Sequence, residues 1–192
     1  MELPVHARRS RAFVVSVAIL VSLAWTTTSV AERQVDSEAS AVADFSRRVT
    51  AYIDLRKRAT QDLPRLTRTD VPSEITTREN EIGNAIRVAR AGVRPGDILT
   101  PGAARVFRQA IKDDFRHRPR RGQQVMRDEI PHFHPKINQT YPSEWPLATF
   151  PATLLAKLPE LPDGLEYRLL SEALILRDDN ANIIVDFILD VF

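Results

Sequence analysis

The sequence contains no cysteine. That excludes disulfide staples, a lipidated cysteine anchor and thiol chemistry, so the core alone must stabilise the fold. Only six glycines and four histidines occur in 192 residues. No glycine-rich phosphate loop, nucleophile elbow or His-Glu-x-x-His pattern is present, and no Ser-His-Asp grouping can be read from so few imidazoles. Adjacent carboxylates at Asp113-Asp114, Asp128-Glu129 and Asp178-Asp179 do not supply one reaction centre, because neighbours on a helix point about a hundred degrees apart. The sequence therefore reads as non-catalytic, with no cofactor expected.

The first 31 residues have the order of a secretory signal. Arg8, Arg9 and Arg11 precede an uncharged apolar run from Ala12 to Trp25, and Ser29-Val30-Ala31 supplies the small residues of a cleavage site. The reading is a signal peptide over 1–31, cut after Ala31, and a periplasmic or secreted protein. The alternative is an uncleaved membrane anchor, for which the apolar run is short. The segment holds three arginines and one glutamate, so of 27 basic and 25 acidic residues, 24 of each remain beyond it. A net charge of zero argues against nucleic acid as a partner. The charge is nonetheless polarised along the chain. Arg105 to Arg121 holds seven basic and two acidic residues, and Glu160 to Phe192 holds two basic and eight acidic.

Residues 32–192 are long enough for one domain with a real core. Val42, Phe45, Val49, Tyr52, Ile53 and Ala59 recur at threes and fours and predict a helix over 37–62. A second is expected over 72–91, with Ile75, Ile82, Ile86 and Ala89 on its buried stripe and Gly92 as its left-handed stop. Thr100-Pro101 starts a third over 101–117, a hydroxyl cap followed by proline at the first helical position, which buries Val106, Phe107, Ala110, Ile111 and Phe115. A short fourth is read over 123–130. Seven of the thirteen prolines then fall between Pro131 and Pro162. Proline removes amide donors, so 131–162 is expected as an extended strap over the helices, interrupted by a short helix at 151–158 with Leu154, Leu155 and Leu158 facing inward.

The tail, 165–189, reads as a three-stranded antiparallel meander with turns at Ser171-Glu172 and Asp179 to Asn182. In that register Tyr167, Leu169, Leu174, Leu176, Val185 and Phe187 share an apolar face. The opposite face places Arg177 against Glu166 and diagonal to Asp186, an ion cluster that locks the register on the solvent side. The fold class is α+β. Tight hairpin turns prefer glycine or asparagine, which Ser171-Glu172 lacks.

"RPGDILTP" at 94–101 and "NQTYPSEWPLATFPATLLAKLPELPDGLEYRLLSEALILRDDNANIIVDFI" at 138–188 resemble a group of exported bacterial proteins of uncharacterised activity. These share a helical first half, a "YP...PLATxP" connector and a "LPxLPxGLEYR...LxLRDxxANxIVDFI" ending. The resemblance implies architecture and not chemistry. The final hairpin is also similar in its alternating pattern to the tail of RcnB-like periplasmic proteins, which implies a link to nickel and cobalt homeostasis.

Two candidate sites remain. Glu129, His132 and His134 in "DEIPHFHP" are metal-ligand types, and His-x-His in extended chain turns both rings the same way, as a nickel, cobalt or zinc site requires. Arg105, Arg108, Lys112, Arg116, Arg120 and Arg121 form a basic run that suits an envelope protein or an anionic surface, with the acidic tail as a competing internal partner. Two functions follow as expectations: a non-catalytic envelope protein that is structural or binds a macromolecule, and, as the alternative, a metal-responsive periplasmic protein.

Overall fold

The structure is a computed structural model that describes residues 15–64, 69–142 and 150–192, with side chains from residue 32 onward. The elements are α1 (Val15–Ala59), α2 (Pro72–Ala89), α3 (Pro101–His117), α4 (Arg120–Glu129), α5 (Ala152–Leu155), β1 (Leu165–Leu170), β2 (Ala173–Asp178) and β3 (Ile183–Ile188). The chain divides into two compact units, Met1–Ala39 and Ser40–Phe192. In the first, Glu32 to Ala39 is helical and exposed. Residues 1–14 of the expected signal lie outside the described residues, and helix is continuous through Ala31. Among the described residues no helix is long and apolar enough to cross a membrane.

The second unit is α+β, as the periodicities imply. The sheet has strand order β1-β2-β3, both pairs antiparallel. Phe45, Val49, Tyr52 and Ile53 of α1, Ile86 of α2 and Phe107, Ile111 and Phe115 of α3 bury one face of it, against Tyr167, Leu169, Leu174, Leu176 and Val185. Phe45 meets Phe107 edge-on at 5.0 Å, and both rings lie near Tyr167.

Helix boundaries follow local chemistry. Thr100 Oγ1 accepts from the Ala103 amide at 3.4 Å and Pro101 occupies the first position, so α3 begins where a cap and a missing donor coincide. α2 ends at Ala89, two residues short of 91, with Arg90 as its cap, and Gly92 takes φ +84° in the turn that follows. Pro119 precedes α4, which therefore starts at Arg120 instead of 123. Ile75 and Ala89 are exposed and not on a buried stripe. In the short helix, Leu154 and Leu158 are buried whereas Leu155 is exposed.

The strap departs from expectation. It covers the second face of the sheet: Phe133 and Tyr141 pack on Leu170, Ala173, Ile175, Ile184 and Phe187. It also completes the edge of β3, because the Asn138 amide donates to Ile184 O at 2.8 Å, the Ile184 amide to Gln139 O at 2.8 Å and the Tyr141 amide to Asn182 O at 2.9 Å. Both faces of β2 are consequently buried. Residues 143–149 of the strap lie outside the described residues.

The strap also explains the turn without glycine. Ser171 adopts φ +52°, and its hydroxyl accepts from the Phe133 amide at 2.6 Å and donates to Phe133 O at 2.9 Å. These bonds offset the cost of a left-handed serine.

The second hairpin contains one irregularity that reorganises its charges. Arg177 opposes Ile184 as expected, but Leu176 then opposes Asp186 and Leu174 opposes Ile188, so Val185 is an extra residue in β3. Such a bulge puts two residues of one strand opposite one of its partner. Val185 and Asp186 therefore both serve the helix-covered side, and Phe187 moves to the strap-covered face.

Candidate functional site

Three charges of the meander, Arg177, Asp178 and Asp186, are sealed. Arg177 is 6% exposed and Asp186 0%, so the expected solvent-facing cluster does not exist as such. Arg177 donates to Glu166 Oε1, to Asp179 Oδ1 at 2.9 Å and to Asn182 Oδ1 at 2.7 Å, and its guanidinium lies over the Tyr141 ring at 5.2 Å. Glu166 also accepts from Arg168. Burial raises the Glu166 pKa, but the hydrogen bonds and charges of Arg168 and Arg177 outweigh it and hold the carboxyl below its ordinary value.

Asp186 is not a member of that cluster. The bulge turns its carboxylate into the 96–99 loop, where the amides of Gly96, Ile98 and Leu99 donate to it at 2.9, 2.7 and 2.8 Å. Oδ1 also accepts from the Phe187 amide at 2.8 Å. Three amides of one short loop converging on one carboxylate make an anion nest filled by the chain's own residue. Beside it, buried Arg90 donates to Val185 O and to Asn138 Oδ1, both at 3.0 Å, and stacks on Tyr52. A further buried acid, Asp178, accepts from the Tyr52 hydroxyl at 2.7 Å, Arg56 at 3.0 Å and the Ala181 amide at 3.1 Å. Burial and the neighbouring Asp178 push the Tyr52 hydroxyl pKa far up. Pattern reading missed the Asp178 and Asp186 networks because most of their partners come from 87 to 126 residues away in sequence. Every one of these acids is occupied within the fold, so the group is a framework and not an open site.

The candidate metal ligands are not gathered. His132 and His134 are exposed on the strap and Glu129 is exposed at the end of α4. Among the described residues no group of three or more His, Asp or Glu side chains is placed to hold a metal ion.

The chain matches no known family, no curated protein and no solved structure.

What remains open to solvent is the outer side of α3 and α4. Lys112 and Arg116 follow Arg105 by seven and eleven residues, close to two and three whole turns, so the three cations align over roughly 16 Å on the side opposite buried Phe107 and Ile111. Arg120 and Arg121, both exposed, follow in the first turn of α4, after the extended pair Arg118 and Pro119. Of these, Arg116 pairs with Asp113, whose pKa is lowered by hydrogen bonds from Arg116 and Gln109. Arg108 lies at the flank and donates to Leu189 O at 2.9 Å. Arg118 is drawn aside to Asp114 at 2.7 Å and to Thr153 at 2.9 Å, and Arg127 lies over the Phe115 ring at 4.8 Å. Arg105, Lys112, Arg120 and Arg121 make no ion pair among the described residues. The acidic tail does not neutralise them.

A separate groove of about 820 Å³ runs between β1 and 155–161, with Phe150, Leu158, Leu161 and Tyr167 among its walls. The Tyr167 hydroxyl, its pKa raised by burial, donates to Pro159 O at 3.0 Å across it.

Proposed function

We propose that this is an exported, non-catalytic envelope protein that binds a macromolecular or anionic partner through the cationic ridge of α3 and α4. The observation that carries the reading is the alignment of Arg105, Lys112 and Arg116 along α3, followed by exposed Arg120 and Arg121, four of the five lacking an internal acid, whereas Arg177, Asp178 and Asp186 of the meander are buried and partnered. A charge that serves stability finds a partner within the fold, whereas an array held in one line on a rigid helix without one is suited to an external anion. The N-terminal signal pattern supports the location.

The test is fractionation of cells expressing the full-length sequence. N-terminal sequencing of the exported protein should begin at Glu32. Wild type should sediment with the envelope at low salt and be released as salt rises, and the Arg105→Glu/Lys112→Glu variant should stay in the supernatant. Identical sedimentation of the two proteins sinks the reading.

A further inference from the structure

The partner of the ridge follows from its shape and its border. We propose that the α3–α4 ridge docks on an anionic lipid surface, the headgroup phosphates facing Arg105, Lys112, Arg120 and Arg121. The inference rests on the ridge being the binding surface.

Three observations favour a bilayer over an acidic protein. The ridge is an exposed helix face, and none of its cations lines the grooves at 150–168, at 56–82 with 179–180, or at 48–98. A protein partner needs a complementary desolvated centre, which a row of exposed cations does not offer. A plane of phosphates needs only cations at one height.

The second observation is an apolar residue at the border. Leu189 is 47% exposed, and its carbonyl is held by Arg108, which lies between Arg105 and Lys112 on the same helix. Val125 of α4, 46% exposed, stands four residues beyond Arg121. Exposed aliphatic side chains flanked by long cationic ones fit the boundary between headgroups and acyl chains, where guanidinium and ammonium groups reach up to phosphate.

The third is that the local acids leave the array cationic. Asp113 is taken by Arg116, exposed Asp128 and Glu129 keep their charges but lie seven or more residues beyond Arg121, and Asp190, next to Leu189, is exposed without opposing any of the four cations in an ion pair. Asp190 adopts φ +56°, a conformation asparagine accepts readily, so its charge can be removed without disturbing the backbone.

Vesicle sedimentation decides the matter, using protein purified from cells expressing the full-length sequence. Vesicles of phosphatidylglycerol and phosphatidylcholine in equal parts should bind it, and phosphatidylcholine alone should not. Neutralising Arg105, Lys112 and Arg120 to glutamine should lower the partition coefficient about a hundredfold, at roughly fivefold per cation. Leu189→Gln should weaken it severalfold, and Asp190→Asn should strengthen it about fivefold. Circular dichroism melts of each variant exclude unfolding as the cause. Equal binding to both vesicle types would mean that the protein does not read headgroup charge, and would overturn the proposal. So would vesicle binding that the glutamine variants leave unchanged. If the ridge binds soluble polyglutamate with the same dependence on Arg105 and Lys112 but ignores vesicles and the Leu189 change, the lipid assignment fails while the ridge as a binding surface stands.

Discussion

The tail and the third helix carry comparable numbers of charged residues and use them in opposite ways. In the meander, Asp178, Asp186 and Arg177 are buried and each has several partners fixed by the fold. On α3 and α4 the cations are exposed and mostly unmatched. Buried charges must be satisfied or the fold fails, because leaving one unpaired costs several kcal/mol. Exposed charges carry almost no such penalty, so their placement is free to answer to something outside the molecule. The contrast can be read as a division between specifying the fold and offering a surface.

Substitutions at the two regions should therefore differ most at the extremes. Asp186→Ala strands three loop amides and should destabilise the domain by about 4 kcal/mol in urea unfolding, with the 96–99 loop losing amide protection first. A loss under about 1 kcal/mol would show that the nest is wet and dispensable. Arg177→Ala should cost about 2 to 3 kcal/mol, since it leaves Asn182 and Glu166 short of donors beneath the strap. That is more than a solvent-facing cross-strand pair would lose, which is about 1 kcal/mol or less.

Glu166 gives a smaller and pH-dependent effect. Its folded pKa is depressed below the ordinary 4.5, so it contributes stability above that value which disappears as pH falls through the lower folded pKa. Wild type should therefore lose stability on acidification below pH 4.5 more steeply than Glu166→Gln, in melts compared across that window. Parallel curves would mean that the arginines do not sense its charge. Smallest of all, Arg105→Gln with Lys112→Gln should change unfolding free energy by no more than about 0.5 kcal/mol. A larger loss would turn the ridge into part of the framework and erase the comparison.

How much of this was legible beforehand varies with the range of the interaction. The start of α3 was plain because Thr100-Pro101 acts within one turn. Both hairpin turns and the β1–β2 register were legible because alternation and loop length fix them locally. The bulge at Val185 was not, since nothing in "NIIVDFIL" distinguishes an extra residue from a continuing alternation. Its cause lies in the 96–99 loop, whose amides draw Asp186 to the helix side. The strap was legible as extended from its prolines, but not which layer it would cover, because that depends on apolar residues at Ile175 and Ile184 that the strand pattern assigns to no particular neighbour. The ridge was visible as a run of basic residues, and only the helix axis shows that three of them share a line.

The link between Gly96 and Asp186 spans ninety positions along the polypeptide. A ribosome finishes the loop well before it makes the acid that anchors it, so this contact can form only near the end of synthesis. The last strand thus closes a contact begun half a chain earlier, and a truncation before residue 186 would leave the loop amides open.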